Sequence, residues 1–265
     1  MYLVFDMGAT HTRLATSSDG IKLDEIIRFD TDPTAAGFGK LLGAADSFIN
    51  GRTLQAIAGG FPGQIDANTG ELVHANNLPE WEGLPVRERI EKLFDCRVVL
   101  ANDVVLAGLG ESRVGAGQDI RVMAYYTVST GVNAVRIVNG HIDMSIVAYK
   151  LGEQLLPGKA GKPETLEWLV GGAALQSRHP QLLSGRHDWK AEAKHLAQAV
   201  YNTAIYWTPE VIVFGGSMMR DIKLADIEAE LSKLSSRLDV MPVLKRAELA
   251  DTAALNGALA LLRKP

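Results

Sequence analysis

The stretch Tyr2-Leu3-Val4-Phe5-Asp6-Met7-Gly8-Ala9-Thr10-His11-Thr12-Arg13 decides how the chain reads. Tyr2–Asp6 is a short apolar strand that ends on an acid, and Thr12–Ser17 is a second strand. Side chains alternate along an extended chain, so Thr10 and Thr12 offer their hydroxyls on one side. Gly8 lets the backbone come close to a ligand. A hairpin tip with free N–H groups and hydroxyls suits a phosphate, and Asp6 suits the hydrated Mg²⁺ that travels with one. An ordinary hairpin with a glycine turn has the same residues, so the motif needs support from the rest of the chain.

That support is a repeat. After the turn Ser18-Asp19-Gly20 comes a third strand, Glu25–Phe29, then a helix over Pro33–Ile49 with Asp32 as N-cap and Pro33 in the first turn. A buried-type strand (Gln55–Phe61), a helix (Leu84–Phe94), a strand (Arg97–Ala101) and a helix (Asp103–Val114) complete one cycle. The second cycle has strands at Val122–Val128, Ala134–Val138 and His141–Ile146, with Asn139-Gly140 as a strong hairpin signal. Helices follow over Thr165–Arg178 and Trp189–Trp207, then a strand, Glu210–Phe214, and helices over Asp221–Leu238 and Thr252–Arg263. This order predicts an α/β fold of two lobes, each a mixed β-sheet flanked by helices, with an inter-lobe cleft. We place the N-terminal lobe at 1–106, rejoined by a helix in 251–265, and the C-terminal lobe at 107–250.

Composition narrows the function classes. The 265 residues suffice for one large or two small domains. Charged residues are 22% and hydrophobic ones 47%, an ordinary globular balance. A net charge of −4, without runs of like charge, argues against a nucleic-acid partner. Cys96 is the single cysteine, which excludes an internal disulfide and a multi-cysteine zinc site. Apolar stretches fall far short of the ~18 residues needed to cross a bilayer. The start of the chain has no basic n-region before Asp6, so a cytoplasmic protein without a signal peptide is expected. Glycine is the outlier: 26 residues, in pairs and at strand ends.

Several further positions carry chemistry. Ser129-Thr130-Gly131 ends the first strand of the second cycle, where Asp6-Met7-Gly8 ends that of the first. Two such turns, one per lobe, would hold one polyphosphate. Val211–Phe214 runs into Gly215-Gly216, whose missing side chains would leave a flat face for a purine; a plain strand-to-helix turn is the alternative. Val98–Ala101 delivers Asn102 and Asp103 to a helix start, where Asp103 is either an N-cap or a general base. Gly158–Pro163 lacks the spacing of a phosphate loop, and without G-x-G-x-x-G a dinucleotide site is not expected. His187 and His195 are expected on the solvated surface, and Trp81 in the core rather than stacked on a sugar.

The ordered set Asp-x-Gly-x-Thr-x-Thr, Gly-x-Pro-Gly-x-x-Asp, Asn-Leu-Pro-x-Trp, Asn-Asp, Thr-Gly and Gly-Gly resembles the ROK (repressor, open reading frame, kinase) family of sugar kinases, from Asp6 to about Gly257. The resemblance implies the actin/hexokinase-like (ribonuclease H-like) fold and ATP-dependent phosphorylation of a hexose, at the 6-OH. It implies that Asp6, Gly8, Thr10 and Thr12 form the first phosphate loop, with Asp6 on Mg²⁺ through water. Thr130 and Gly131 would form the second loop, and Gly215 and Gly216 the adenosine-side turn. Gly63, Asn77, Asn102, Glu153 and Glu167 would line the sugar, with Asp103 as catalytic base. A homodimer is the family expectation. The family's Glu-x-Gly-His is replaced by Lys150-Leu151-Gly152-Glu153, and its zinc-binding cysteines are absent. A changed sugar, a weakened sugar- or nucleotide-binding regulator, and a polyphosphate-dependent glucokinase are the alternatives this departure leaves. With its first strand at Tyr2, a DNA-binding repressor is not expected.

Overall fold

Strand β1 (Tyr2–Met7) is buried on both faces from Leu3 onward, as an unbroken apolar run predicts for a central strand. Leu3, Phe5 and Met7 enter one core cluster and Val4 another on the opposite face. β1 pairs antiparallel with β2 (His11–Ser17), and β2 antiparallel with β3 (Ile26–Asp30). After α1 (Gly37–Ile49) the chain enters β4 (Ala56–Phe61), parallel to β1. A ribbon of β5 (Gln64–Ile65) and β6 (Leu72–His74) follows, then α2 (Val86–Phe94), β7 (Arg97–Asn102) parallel to β4, and α3 (Asp103–Val114). The sheet order is β3-β2-β1-β4-β7. This computed structural model describes residues 1–8, 10–75, 78–143, 150–158, 161–180, 187–234 and 240–263.

The second sheet repeats the first. β8 (Val122–Val128), β9 (Val132–Val138) and β10 (His141–Ile142) form an antiparallel meander. Asn139 and Gly140 turn it with φ of 53° and 70°, the two positive values an Asn-Gly hairpin requires. Next come a ribbon of β11 (Leu155–Pro157) and β12 (Pro163–Thr165), then α4 (Leu166–Val170), α5 (Gly172–Arg178) and α6 (Lys190–Trp207). β13 (Val211–Gly215) lies parallel to β8, and beyond α7 (Leu224–Ser232), β14 (Val243–Arg246) lies parallel to β13. The order β10-β9-β8-β13-β14 is the topology of the first sheet again. The chain ends in α8 (Ala253–Leu262).

Two compact units result: Met1–Arg113 with Asp251–Pro265, and Val114–Ala250. The first extends to Arg113 rather than 106 because α3 continues without a break. Helix α1 starts at Gly37, not Pro33. Asp32 caps no helix; its Oδ1 accepts the N–H of Thr34 at 3.0 Å and the Thr34 hydroxyl at 2.7 Å, which folds a local turn. The expected helix over Thr165–Arg178 breaks at Gly171, whose backbone is extended (φ −67°, ψ 136°). Of Asp221–Leu238, only Leu224–Ser232 is α-helix among the described residues. β5, β6, β11, β12 and β14 are too short or too polar to show as periodic runs. No helix among the described residues is long and apolar enough to cross a membrane.

Helices α3 and α8 touch backbone to backbone. A Cβ on Gly257 would overlap the Leu106 carbonyl, and one on Gly110 the Ala253 carbonyl. Inserting one methyl here forces the helices apart, so Gly257→Ala is expected to cost roughly 1–3 kcal/mol in urea denaturation. Gly43→Ala in α1, where a Cβ meets nothing within 4 Å, is the control and should be neutral or stabilising. Equal stability of Gly257→Ala and the wild type would refute the close crossing.

Candidate functional site

In the first unit the site grows from one row across the sheet. Arg28, Arg13, Asp6 and Gly60 stand in register on β3, β2, β1 and β4, and cross-strand neighbours share a face. Asp6 is only 9% exposed. Arg13 lies 3.4 Å from Asp6 through Nη1 and 2.8 Å from Asp251 through Nη2, while Arg28 reaches Asp251 at 3.6 Å. Burial pushes the Asp6 carboxyl up to about 6; Arg13 opposes that shift and Asp251 adds to it. The sequence gives no local signal for Asp251. Arg13 could have been found, because Asp6 and Arg13 are opposed once the hairpin register is fixed.

Asp103 opens α3 directly over Gly60, where an added Cβ would lie 3.3 Å from the Asp103 Cα. Burial, and after it the Asp6 carboxylate, push Asp103 up to about 7. Its Oδ1 accepts the Val104 N–H at 2.9 Å. The side chain of Asn102 caps the helix as well: its Oδ1 accepts the N–H of Val104 at 3.0 Å and of Val105 at 3.4 Å. Asn102 Nδ2 donates to the Gly63 carbonyl at 3.0 Å. Two residues assigned to the sugar side are therefore joined to each other. The β5–β6 ribbon packs so closely that a Cβ on Gly63 would overlap the His74 carbonyl.

At the first hairpin, Thr10 is exposed and Thr12 is fully buried. The Thr12 hydroxyl lies 2.9 Å from that of Thr31, which donates to the Gly8 carbonyl at 2.8 Å. Thr12 thus buttresses the turn from below, with Thr31, which the sequence reading passed over. Gly8 donates its N–H to the His11 carbonyl at 3.0 Å and closes the tip. Asn77 lies outside the described residues. Downstream of it, Glu82 accepts the Ala75 N–H at 2.8 Å, and Trp81 is fully buried.

The second unit carries the other candidates. Thr130 and Gly131 form the β8–β9 turn, and Glu167 Oε2 accepts the Val132 N–H at 2.9 Å. Lys150 and Glu153 are exposed. Gly215 and Gly216 do not border open space as expected. A Cβ on Gly215 would strike the Tyr125 hydroxyl, and one on Gly216 the Val128 backbone. Gly216 also has φ of 95°, which only glycine adopts without strain. His187 is not simply solvated: its Nε2 lies 3.1 Å from the buried Glu192 carboxylate. His195 is half-buried, and desolvation lowers its pKa. Among the described residues no three His, Cys, Asp or Glu side chains gather as a metal site.

The chain as a whole is similar to known proteins. Residues 2–181 and 183–265 match the ROK family. A fructokinase of Streptococcus mutans is 23% identical, over 98% of this chain and 95% of its own. A ROK hexokinase of Thermus thermophilus is 25% identical and superposes with a TM-score of 0.81, covering 97% of this chain and 96% of its own. A ROK glucokinase of Streptomyces griseus, solved with glucose and AMPPNP, is 20% identical with a TM-score of 0.81 and covers 98% of both chains. The two sheets of like topology are thus the actin/hexokinase fold that the motifs implied. A match that runs through both sheets and nearly every residue decides the lineage: the chain belongs to the ROK family.

Proposed function

We propose that this protein is an ATP-dependent sugar kinase that moves the γ-phosphoryl of ATP to a hexose hydroxyl, the 6-OH, with Asp103 as general base. The observation that carries this reading is the place of Asp103, buried at the start of α3 over Gly60 and beside Asp6. A carboxyl held near 7 is matched to taking a proton from a hydroxyl at neutral pH. The carbohydrate-kinase class follows from the family and from relatives that act as fructokinase and hexokinase. Phosphoryl transfer needs alignment and charge neutralisation more than covalent chemistry. Thr10 of the first hairpin would offer a hydroxyl for phosphate, and the Thr130-Gly131 turn its hydroxyl and backbone N–H groups. Asn102 and Gly63 border Asp103 and line the acceptor side.

Mg²⁺ fits the donor set. Burial raises the proton affinity of both Asp6 and Asp103, repulsion from the Asp6 charge adds to it at Asp103, and Arg13 offsets only part of it at Asp6. A divalent cation relieves the same repulsion. Asp6 would hold it through water, and the ion would neutralise charge on the phosphates.

The test is ADP release with Mg·ATP over a panel of aldohexoses, fructose, aminosugars and N-acetylated aminosugars. Sugar-dependent release, absent in Asp103→Asn, is the expected result and names the acceptor. Nucleotide binding without release for any sugar would replace the kinase with a binding protein on the same fold. Phosphorylation with polyphosphate but not ATP would reassign the donor.

A further inference from the structure

The β8–β9 turn is held from one side by a single short segment, residues 167–173. The Gly172 N–H donates to the Ser129 carbonyl at 2.7 Å and the Ala173 N–H to the Thr130 carbonyl at 2.9 Å. From the α4 side of the same break, Glu167 Oε2 accepts the Val132 N–H at 2.9 Å. One carboxylate oxygen lies against the turn: a Cβ on Gly131 would sit 2.5 Å from Glu167 Oε2. Gly152 closes the other side, where a Cβ would overlap the Val132 carbonyl and lie 3.3 Å from the Glu167 Cβ. Asn133 Oδ1 joins β9 to this wall by accepting the Leu151 N–H at 3.2 Å.

The consequence is a polarity. The Ser129 and Thr130 carbonyls are turned into the protein and satisfied there. The N–H groups of Thr130 and Gly131 find no acceptor among the described residues. A turn that hides its carbonyls and presents its N–H groups is receptive to an anion. Glu167 makes no ion pair among the described residues. It meets the turn and its own helix end, and no cation among the described residues accounts for a carboxylate there.

We propose that Glu167 is a positioning residue for the phosphate-binding turn: its carboxylate, together with the N–H groups of Gly172 and Ala173, fixes the orientation in which Thr130 and Gly131 present their N–H groups to the nucleotide. This rests on the kinase reading and goes beyond the sugar contact implied for Glu167 by resemblance. A sugar ligand affects nucleotide binding only when sugar is present. A positioning residue affects it without sugar.

The experiment measures the affinity of a non-hydrolysable Mg·ATP analogue by calorimetry in the absence of sugar, for the wild type, Glu167→Ala and Glu167→Gln. Hydrogen exchange at the Val132 amide is followed in parallel. Glu167→Ala removes a charge-assisted acceptor and is expected to weaken the analogue about tenfold and to expose the Val132 amide. Glu167→Gln keeps an acceptor at the same reach and should restore both to within about threefold. If Glu167→Ala proves unfolded by circular dichroism, Glu167→Asp, whose shorter arm withdraws the carboxylate, takes its place with the same expectation. Analogue affinity unchanged by either substitution, with only the KM for sugar raised, overturns the inference and leaves the kinase standing. A wild type that binds no nucleotide overturns the kinase reading and the inference with it.

Discussion

Asp103→Asn is expected to lower kcat by about 10²–10⁴-fold while leaving the KM for sugar close to that of the wild type. The amide keeps the size of the side chain and can still accept the Val104 N–H, so α3 starts where it did. What it loses is the ability to take a proton. In the wild type Asp103 must be ionised to act, so kcat/KM is expected to rise with pH and to level off above about 7. Stability moves the opposite way. The folded protein holds the Asp103 proton up to about 7, whereas the ordinary value is 3.8. Between those values the native state binds more protons than the unfolded chain, so stability falls as pH rises through that window and is level above it. Asp6, raised to about 6, adds the same sign over a shorter range. Asn at 103 removes that position's share of the cost. The variant should therefore melt higher than the wild type at pH 8, by about 2–4 °C for each kcal/mol recovered, with the gap closing toward pH 4. Near-normal turnover would move the base to another residue. A gap that does not depend on pH would mean that Asp103 is not held protonated.

Trp81→Ala is expected to remove about 3–5 kcal/mol of stability, a large share of the roughly 5–15 kcal/mol that a folded protein has. Trp81 is fully buried, with ring centroids 5.4 Å from Phe38 and 6.1 Å from Phe61, and Phe61 packs edge-on against Phe5 at 5.2 Å. This chain of rings joins α1, the turn carrying Trp81, β4 and β1. The indole Nε1 donates to the Thr34 carbonyl at 2.9 Å, and neighbouring Glu80 accepts the Ala35 N–H at 2.8 Å. These two bonds hold Thr34 and Ala35 in a turn, and α1 begins only at Gly37. Trp81→Phe keeps a ring and removes the indole donor, while the Thr34 carbonyl keeps the Gly37 N–H, so it should cost about 0.5–1.5 kcal/mol. Urea denaturation separates the two. A loss below about 1 kcal/mol for Trp81→Ala would mean that the indole is not a packed core residue.

The elements written as long periodic runs were legible. β1, β4, β8 and β13 are short, nearly unbroken apolar stretches, and burial on both faces requires that composition. The Asn139-Gly140 turn was legible because only two positive φ values close so short a hairpin. α1 was misplaced at its start because Asp32-Pro33 is a good local cap, and the Trp81 and Glu80 contacts come from 45 residues or more away. The helix over Thr165–Arg178 was read through Gly171 because nothing local shows that its neighbours' N–H groups are drawn to Ser129 and Thr130.

The site divides along the same line. The sequence by itself determined that Asp6 ends a strand, that Asn102 and Asp103 stand between a strand and a helix, and that a second turn at Thr130-Gly131 repeats the first. These are matters of order and spacing along the chain. Only the tertiary structure decided the chemical state of each group. Asp103 retains its proton to about 7 because it is buried beside Asp6. Asp6 is held by Arg13, which Asp251 shares. Thr12 faces Thr31 beneath the hairpin, and Glu167 faces the turn at Gly131. Proton affinity and hydrogen-bond partnership depend on burial and on charges brought close from distant parts of the chain, and spacing along the sequence contains neither.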